Sequence, residues 1–260
     1  MSYTPEQISR YLARIGVAGP LPRTPGTLSA LISAHYRTVP YENLDILRNR
    51  PLDLSPDALY RKIVEDHRGG FCFELNAALG NLLEGLGFSV TRLAARFLRG
   101  EPEGETPMRR HQILLVHLPE GDFLCDAGIM REASRMALPL VYGRIFSDGM
   151  GEYRLEPDPF YGTVLLQRLD EPEFVPFFGF TMEPQIPEDY VMPCFYCEKH
   201  PDSPFTRGRM VGIYTETGSW NLVENSLRRL ENGRIVERRD LTGEEVPEIL
   251  ERIFGIPRNE

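Results

Sequence analysis

The nine residues RGGFCFELN, Arg68–Asn76, are the hinge of this 260-residue sequence. On their C-terminal side Cys72, Leu75, Leu79, Leu82, Leu83 and Leu86 recur at helical spacing, so CFELNAALGNLLEGLGF predicts an amphipathic helix that begins at the cysteine. On their N-terminal side lies SPDALYRKIVEDHRGG. Ser55 suits an N-cap, Pro56 the first helical position, and Leu59, Ile63 and Val64 one buried face, with Gly69 as the expected stop. A cysteine at a helix N-terminus meets unpaired N–H groups and the positive end of the dipole, both of which favour the thiolate. Gly69 and Gly70, lacking Cβ atoms, let backbone or substrate approach. The alternative is that Cys72 is simply a small apolar residue of the buried face.

From Ser89 the period changes. SVTRLAARFLR, RHQILLVHL and GDFLCDAG are short, rich in β-formers and punctuated by turn residues such as Pro119, Glu120 and Gly121. YRLE, GTVLLQRL and EFVPFFGFTM continue the pattern. After a stretch dense in Pro, Asp and Glu come the strand-like GRMVGIYTET, SWNLVENSLRRL and RIVERRDL, and EEVPEILERIFGI closes the chain as a helix. Helices, then strands, then a mixed end predict an α+β protein in three regions: residues 1–88 helical and carrying Cys72, 89–190 a β domain, and 191–260 mixed.

A base for Cys72 is sought among five histidines. His111 stands at the start of QILLVHL and Asp126 at the end of FLCDAG. A hairpin turning near Pro119 to Asp122, with paired numbers summing to about 239, sets Asp126 opposite Ile113 with His111 next outward on that face. Such diagonal neighbours are roughly 7–8 Å apart at the backbone, within reach of an imidazole–carboxylate hydrogen bond. His117 lies near the turn, His35 and His67 in or beside helices, and His200 in a Pro-rich loop. Cys72, His111 and Asp126 would then serve as nucleophile, proton acceptor and orienting carboxylate for acyl transfer through a thioester. The order Cys, His, acid is that of papain-like enzymes, but His111 follows Cys72 by 39 residues, against about 130–150 in that family.

Taken together, these motifs resemble the arylamine N-acetyltransferases. The likeness spans YLARIG, VPYENLDI at Val39–Ile46, RGGFCFELN, the His111 strand, CDAGIM at Cys125–Met130, HPDSPF at His200–Phe205 and the terminal FGI. The resemblance implies a helical bundle, a central β-barrel and a C-terminal α/β lid around a cysteine-proteinase-like core. It also implies a ping-pong reaction in which acetyl-CoA acylates the cysteine and an arylamine, arylhydrazine or arylhydroxylamine removes the acetyl group, as in xenobiotic metabolism. The family's triad falls on Cys72, His111 and Asp126, and Glu42 in YENL matches its structural glutamate, with Arg68, Gly69 and Gly70 in the supported loop. Acetyl-CoA is expected as co-substrate, with no permanently bound cofactor and no metal. Phe71, Phe73, Ile129 and Met130 are the candidate substrate-binding residues. After Asp-x-Gly the family usually carries an aromatic residue and a second glycine, and this chain has Ile129 and Met130. That departure points to a reshaped acceptor pocket and a crowded approach to the sulfur.

The remaining signals narrow the field. A formal charge of −9 is a poor footprint for nucleic acid or anionic lipid, and no apolar run approaches the roughly 20 residues of a membrane span. The polar N-terminus and four sparse cysteines predict a cytoplasmic chain with reduced thiols. Cys194, Cys197 and His200 form CxxCxxH, but a structural zinc site needs four ligands, so two loop thiols are expected. Arg109, Arg110, Arg207 and Arg209 could meet CoA phosphates, but arginines on strand ends are more often solvated, and none is assigned to that role. Asp240 and Glu244 are expected on an exposed face. The competing functions are a thiol hydrolase or transglutaminase-like enzyme, an amide-forming relative using another acyl donor, and a non-catalytic binding protein of the same fold.

Overall fold

A computed structural model describes residues 3–102, 104–169 and 172–258. Local signals set the N-terminal helices. Thr4 caps α1 (Pro5–Arg14), where Gln7 returns a bond to the cap backbone, and Thr24 caps α2 (Pro25–Thr38). After β1 (Tyr41–Glu42) and the single turn α3 (Leu44–Leu47), Ser55 Oγ accepts from Ala58 N at the start of α4 (Pro56–Tyr60). The helix predicted to run to Gly69 ends sooner. It widens into a π-helical turn over Arg61–Glu65, and His67 takes a left-handed φ of 52° before the glycines are reached. The widened turn places Lys62 Nζ 2.7 Å from Asp45 Oδ2 and 2.6 Å from Glu74 Oε1. The next helix, α5, spans Cys72–Gly85.

The β-rich middle folds as a nearly closed, barrel-like antiparallel sheet of eight strands. These are β2 (Ser89–Phe97), β3 (His111–Leu118), β4 (Gly121–Cys125), β5 (Leu138–Pro139), β6 (Ile145–Ser147), β7 (Glu152–Asp158), β8 (Gly162–Arg168) and β9 (Val175–Phe180). Their order is β5-β4-β3-β2-β9-β8-β7-β6. The expected hairpin is present: Leu114 pairs with Cys125 and Leu115 with Leu124, numbers that sum to 239.

A second sheet, ordered β1-β10-β11-β12-β13, contains β10 (Met210–Tyr214), β11 (Gly218–Val223), β12 (Ser226–Glu231) and β13 (Arg234–Asp240). Its first strand is Tyr41–Glu42, so the helical segment and the C-terminal segment share a sheet. SWNLVENSLRRL divides into two strands at Glu224, whose φ is 52°.

One expectation fails here: Cys194 and Cys197 are not loop thiols. They sit in helix α6 (Val191–Lys199) and are buried, with His200 just beyond, stacked on Tyr196. Pro193 falls in the helix's first turn, where a backbone N–H needs no intrahelical partner, so the proline that suggested a loop is tolerated. Helix α7 (Val246–Phe254) ends at Gly255 in the left-handed conformation. One large buried cluster runs from Tyr3 to Tyr214 through α1, α2, α5 and β2–β4. A smaller one joins α7 to Leu44, Val211, Leu222 and Leu227.

Candidate active site

Strand pairing brings His111 and Asp126 together. His111 Nε2 lies 2.6 Å from Asp126 Oδ2, although the pairing of β3 with β4 stops at Leu114 and Cys125. The other carboxylate oxygen, Oδ1, accepts from Asn76 Nδ2 at 2.8 Å and from Gly128 N at 2.7 Å. Asn76 also donates to the Gln112 carbonyl at 2.6 Å and accepts from Ala127 N at 2.8 Å. It follows Cys72 by four residues on α5, which places both on one helix face. Asn76 thus ties the helix to both strands. With the Asp126 carboxylate as acceptor, Nε2–H of His111 is the donor, which leaves Nδ1 of the neutral imidazole as the basic nitrogen. Phe97 meets the ring edge-on at 5.2 Å between centroids, and Phe178 lies 5.7 Å away.

Cys72 opens α5 and lines a cavity of about 460 Å³ together with His111, Tyr41, Phe97, Phe177 and Phe205. Its thiol donates to the Arg110 carbonyl at 3.6 Å, beside His111 in sequence. The electrostatics differ from the thiolate expected at a helix start. A helix dipole contributes at most about 2 kcal/mol in favourable geometry, near 1.5 pKa units. Full burial of an ionisable group shifts its pKa by up to about 3–5 units in favour of the neutral form. Burial wins: with Cys197 and Asp126 adding to it, the Cys72 thiol is pushed well above its ordinary value. Burial thus opposes ionisation of the sulfur, which a neighbouring base would assist by taking the proton.

Beneath the cysteine, close packing explains the glycines. A Cβ on Gly69 would lie 1.8 Å from the Pro40 carbonyl oxygen, one on Gly70 2.7 Å from the Glu74 carboxylate, and one on Gly128 2.6 Å from Cys72 Cα. Glu42 accepts from Arg68 Nε at 2.8 Å, Arg68 Nη2 at 3.0 Å, Leu44 N at 2.9 Å and Gly69 N at 3.3 Å. Arg68 also reaches Asp45 Oδ1 at 3.1 Å. Glu74 Oε2 accepts from Phe71 N at 3.1 Å, closing the start of α5. Burial alone would disfavour the Lys62 and Arg68 cations. Glu74, Glu42 and Asp45 around Lys62, and Glu42 and Asp45 around Arg68, outweigh it and hold both above their ordinary values.

Of the four candidate substrate residues, Ile129 and Met130 line the Cys72 cavity. Met130 is received by Gly212 of β10, where a Cβ would lie 2.5 Å from Met130 Cγ, so the absence of a side chain on β10 makes room for the methionine. Phe71 and Phe73 do not line it. Phe73, one helical position past Cys72, is turned from it by about 100°, and Phe71 precedes the helix in an extended conformation; both are buried in the core. There Phe71 meets Phe205 and Phe73 at 5.4 Å each, and Phe73 lies 5.7 Å from Tyr190. Arg110 lines the cavity and pairs with Glu101; Arg109 pairs with Glu183 and Arg207 with Asp202. Asn76 was not among the candidates, although its place four residues beyond the cysteine within RGGFCFELN is the signal that marks it.

The N-acetyltransferase family profile matches residues 25–259. An arylamine N-acetyltransferase from Mycolicibacterium smegmatis is 34% identical over 251 residues, covering 95% of this chain and 90% of the relative. The chain belongs to the arylamine N-acetyltransferase family. Members of this family are acyltransferases, and the fold agrees with solved arylamine N-acetyltransferases. The Salmonella typhimurium enzyme superposes with a TM-score of 0.92 at 27% identity, covering 98% of this chain and 92% of that one. The Mycobacterium marinum enzyme, solved in complex with CoA, gives 0.89 at 32% identity, covering 96% of this chain and 92% of its own.

Proposed function

We propose that this arylamine N-acetyltransferase family member moves an acetyl group from acetyl-CoA to an arylamine or arylhydrazine through a thioester on Cys72. The observation that carries the proposal is the His111–Asp126 contact of 2.6 Å at the wall of the cavity that Cys72 also lines. Membership of the family and the CoA complex of the M. marinum relative support the donor.

In the first half-reaction the Cys72 thiol leaves the Arg110 carbonyl and gives its proton to His111 Nδ1. The sulfur attacks the acetyl carbonyl, the bond to the CoA sulfur breaks, and the imidazolium returns its proton to the departing CoA thiolate. In the second half the amine attacks the thioester, its proton passes by way of His111, and Cys72 leaves as the thiol. Asp126 fixes the tautomer and stabilises each imidazolium as it forms. Cys72 is 4% exposed, and Tyr41, Phe97, Phe177 and Phe205 stand on the wall of its cavity, an apolar setting for an arylamine. Four free thiols suit a reducing compartment, and the cytoplasm is the proposed location.

Incubation with acetyl-CoA, followed by peptide mass analysis, tests the proposal. The expected product is one acetyl group on the Cys72 peptide that persists until an arylamine is added. An unmodified Cys72 peptide with active donor overturns the thioester route. A thioester that decays equally fast with and without amine identifies a hydrolase instead.

A further inference from the structure

Strand β10 alternates between the two buried clusters. Val211 and Ile213 face the smaller one, while Met210 and Tyr214 face the larger one, and Met210 also lines the Cys72 cavity. Gly212 lies between Met210 and Tyr214 on that second face and brings no side chain to it. Across the strand runs the segment 128–133, which is held at both ends. At one end Gly128 packs on Cys72 Cα and its N–H donates to Asp126 Oδ1 at 2.7 Å; at the other, Ala133 N donates to Tyr214 Oη at 2.9 Å. Met130 stands between these anchors, over the bare backbone of Gly212 and on the wall of the cavity. A Cβ on residue 212 would lie 2.5 Å from Met130 Cγ, 2.7 Å from the Met130 carbonyl oxygen and 3.1 Å from Asn221 Oδ1.

A methyl group added to packed surroundings is relieved by shifting its neighbours. Here the direction of the shift is constrained. Tyr41 and Asn221 pair with Gly212 on either side in the sheet, and the ends of the 128–133 segment are fixed, so the open space available to Met130 is the cavity. The two substrates of the acetyl transfer feel such a shift unequally. The donor carries its thioester on an unbranched pantetheine arm, which bends past an obstacle, whereas an aryl acceptor brings a rigid ring whose width must fit. Resting on the thioester reading given above, we propose that Gly212 is a positioning residue that sets, through Met130, the width of aryl acceptor the cavity admits. The bare strand lets Met130 lie back against β10, and the methionine in turn bounds the space in front of the sulfur.

The full chain, Met130→Ala, Gly212→Ala and the double variant are compared with acetyl-CoA as donor and with aniline and β-naphthylamine as acceptors. The quantity read is the ratio of kcat/KM for the two-ring amine to that for the one-ring amine. Met130→Ala should raise this ratio by about tenfold and Gly212→Ala should lower it by about tenfold, the scale on which one methylene counts in an apolar pocket. In the Met130→Ala background the Gly212 substitution should change the ratio by less than about threefold, because the side chain it would displace is gone. If Gly212→Ala does not fold, the double variant must fold, since removal of Met130 Cγ relieves the nearest overlap, and failure of both overturns the proposal. It is equally overturned if a folded single variant does not move the ratio in the stated direction, or if Gly212→Ala acts as strongly without the methionine as with it. A parent chain that acetylates neither amine defeats the thioester reading and this proposal together, whereas one that acetylates both and keeps its ratio in the variants defeats the proposal alone.

Discussion

Two histidines are withdrawn from solvent in this fold, and their partners set them apart. His111 is 2% exposed and meets a carboxylate, Asp126, at 2.6 Å; His35, in α2, is fully buried and meets a phenol, Tyr11, at 2.9 Å. The phenol offers a hydrogen bond but no charge. Burial therefore dominates at His35, with Arg14 adding to it, and pulls its pKa down to about 3. Asp126 instead sets a negative charge beside the ring in which the proposed reaction places a proton. Burial is common to the two histidines; what differs is the group each ring meets, a carboxylate at His111 and a phenol at His35. His35 Nδ1 has no hydrogen-bond partner and His35 does not line the Cys72 cavity, which suits a packing role.

The largest effect should come from making the two environments alike. Asp126→Asn removes the charge and leaves an amide that can present its NH₂ to the ring, favouring the wrong tautomer. Acetyl transfer should fall by about 10³–10⁴-fold, measured as kcat/KM, with the thermal midpoint little changed. A loss below tenfold would mean that the carboxylate is not what distinguishes His111.

The buried ion pair below the cysteine carries the same logic to its limit. Glu42 and Arg68 are 1% and 2% exposed and each neutralises the other. Arg68→Met strands the Glu42 carboxylate and should cost about 3–5 kcal/mol in urea unfolding. Replacing both residues with apolar side chains should recover part of that loss, because the desolvation penalty goes with the charges.

A smaller, purely catalytic effect is expected from Asn76→Ala. Asp126 would keep the Gly128 donor but lose the link to α5, and transfer should slow by about 10²-fold with KM little changed. If Asn76→Asp restores neither rate nor pH profile while Asn76→Gln restores part of both, the amide acts by donating to Asp126.

Much of this arrangement was legible because it rests on local signals. The tight turn at Pro119–Glu120 fixes the pairing that leads His111 to Asp126, and Ser55 with Pro56 marks the start of α4. The start of α5 at Cys72 is equally local, for the apolar period begins there. What was hidden depends on distant partners. The π-helical turn at Arg61–Glu65 answers to Asp45 and Glu74, neither of which its own sequence reveals. Helix α6 buries cysteines without a strong amphipathic pattern, and its Pro193 reads as a breaker. The burial that pushes the Cys72 thiol upward is three-dimensional, and a helix start in sequence does not disclose it. Asn76 could be placed on the helix, but its bonds to Asp126, Ala127 and Gln112 span 36 to 51 residues.

The smallest effect tests the neutral member of the pair. With a folded pKa of about 3 against an ordinary 6.5, His35 stays unprotonated in the native state while the unfolded chain gains a proton below pH 6.5. Stability from this residue is complete above that value and is lost as pH falls through the window from about 6.5 to 3. Linkage gives a loss of about 1.4 kcal/mol between pH 8 and pH 5.5. Other groups titrate over the same range, so the informative quantity is the difference in slope between the parent and His35→Gln, which keeps an acceptor for the Tyr11 hydroxyl but cannot protonate. Unfolding free energies at the two pH values should show the variant losing about 1.4 kcal/mol less than the parent. Equal losses would mean that burial does not hold His35 neutral, and that the Tyr11 phenol accommodates an imidazolium.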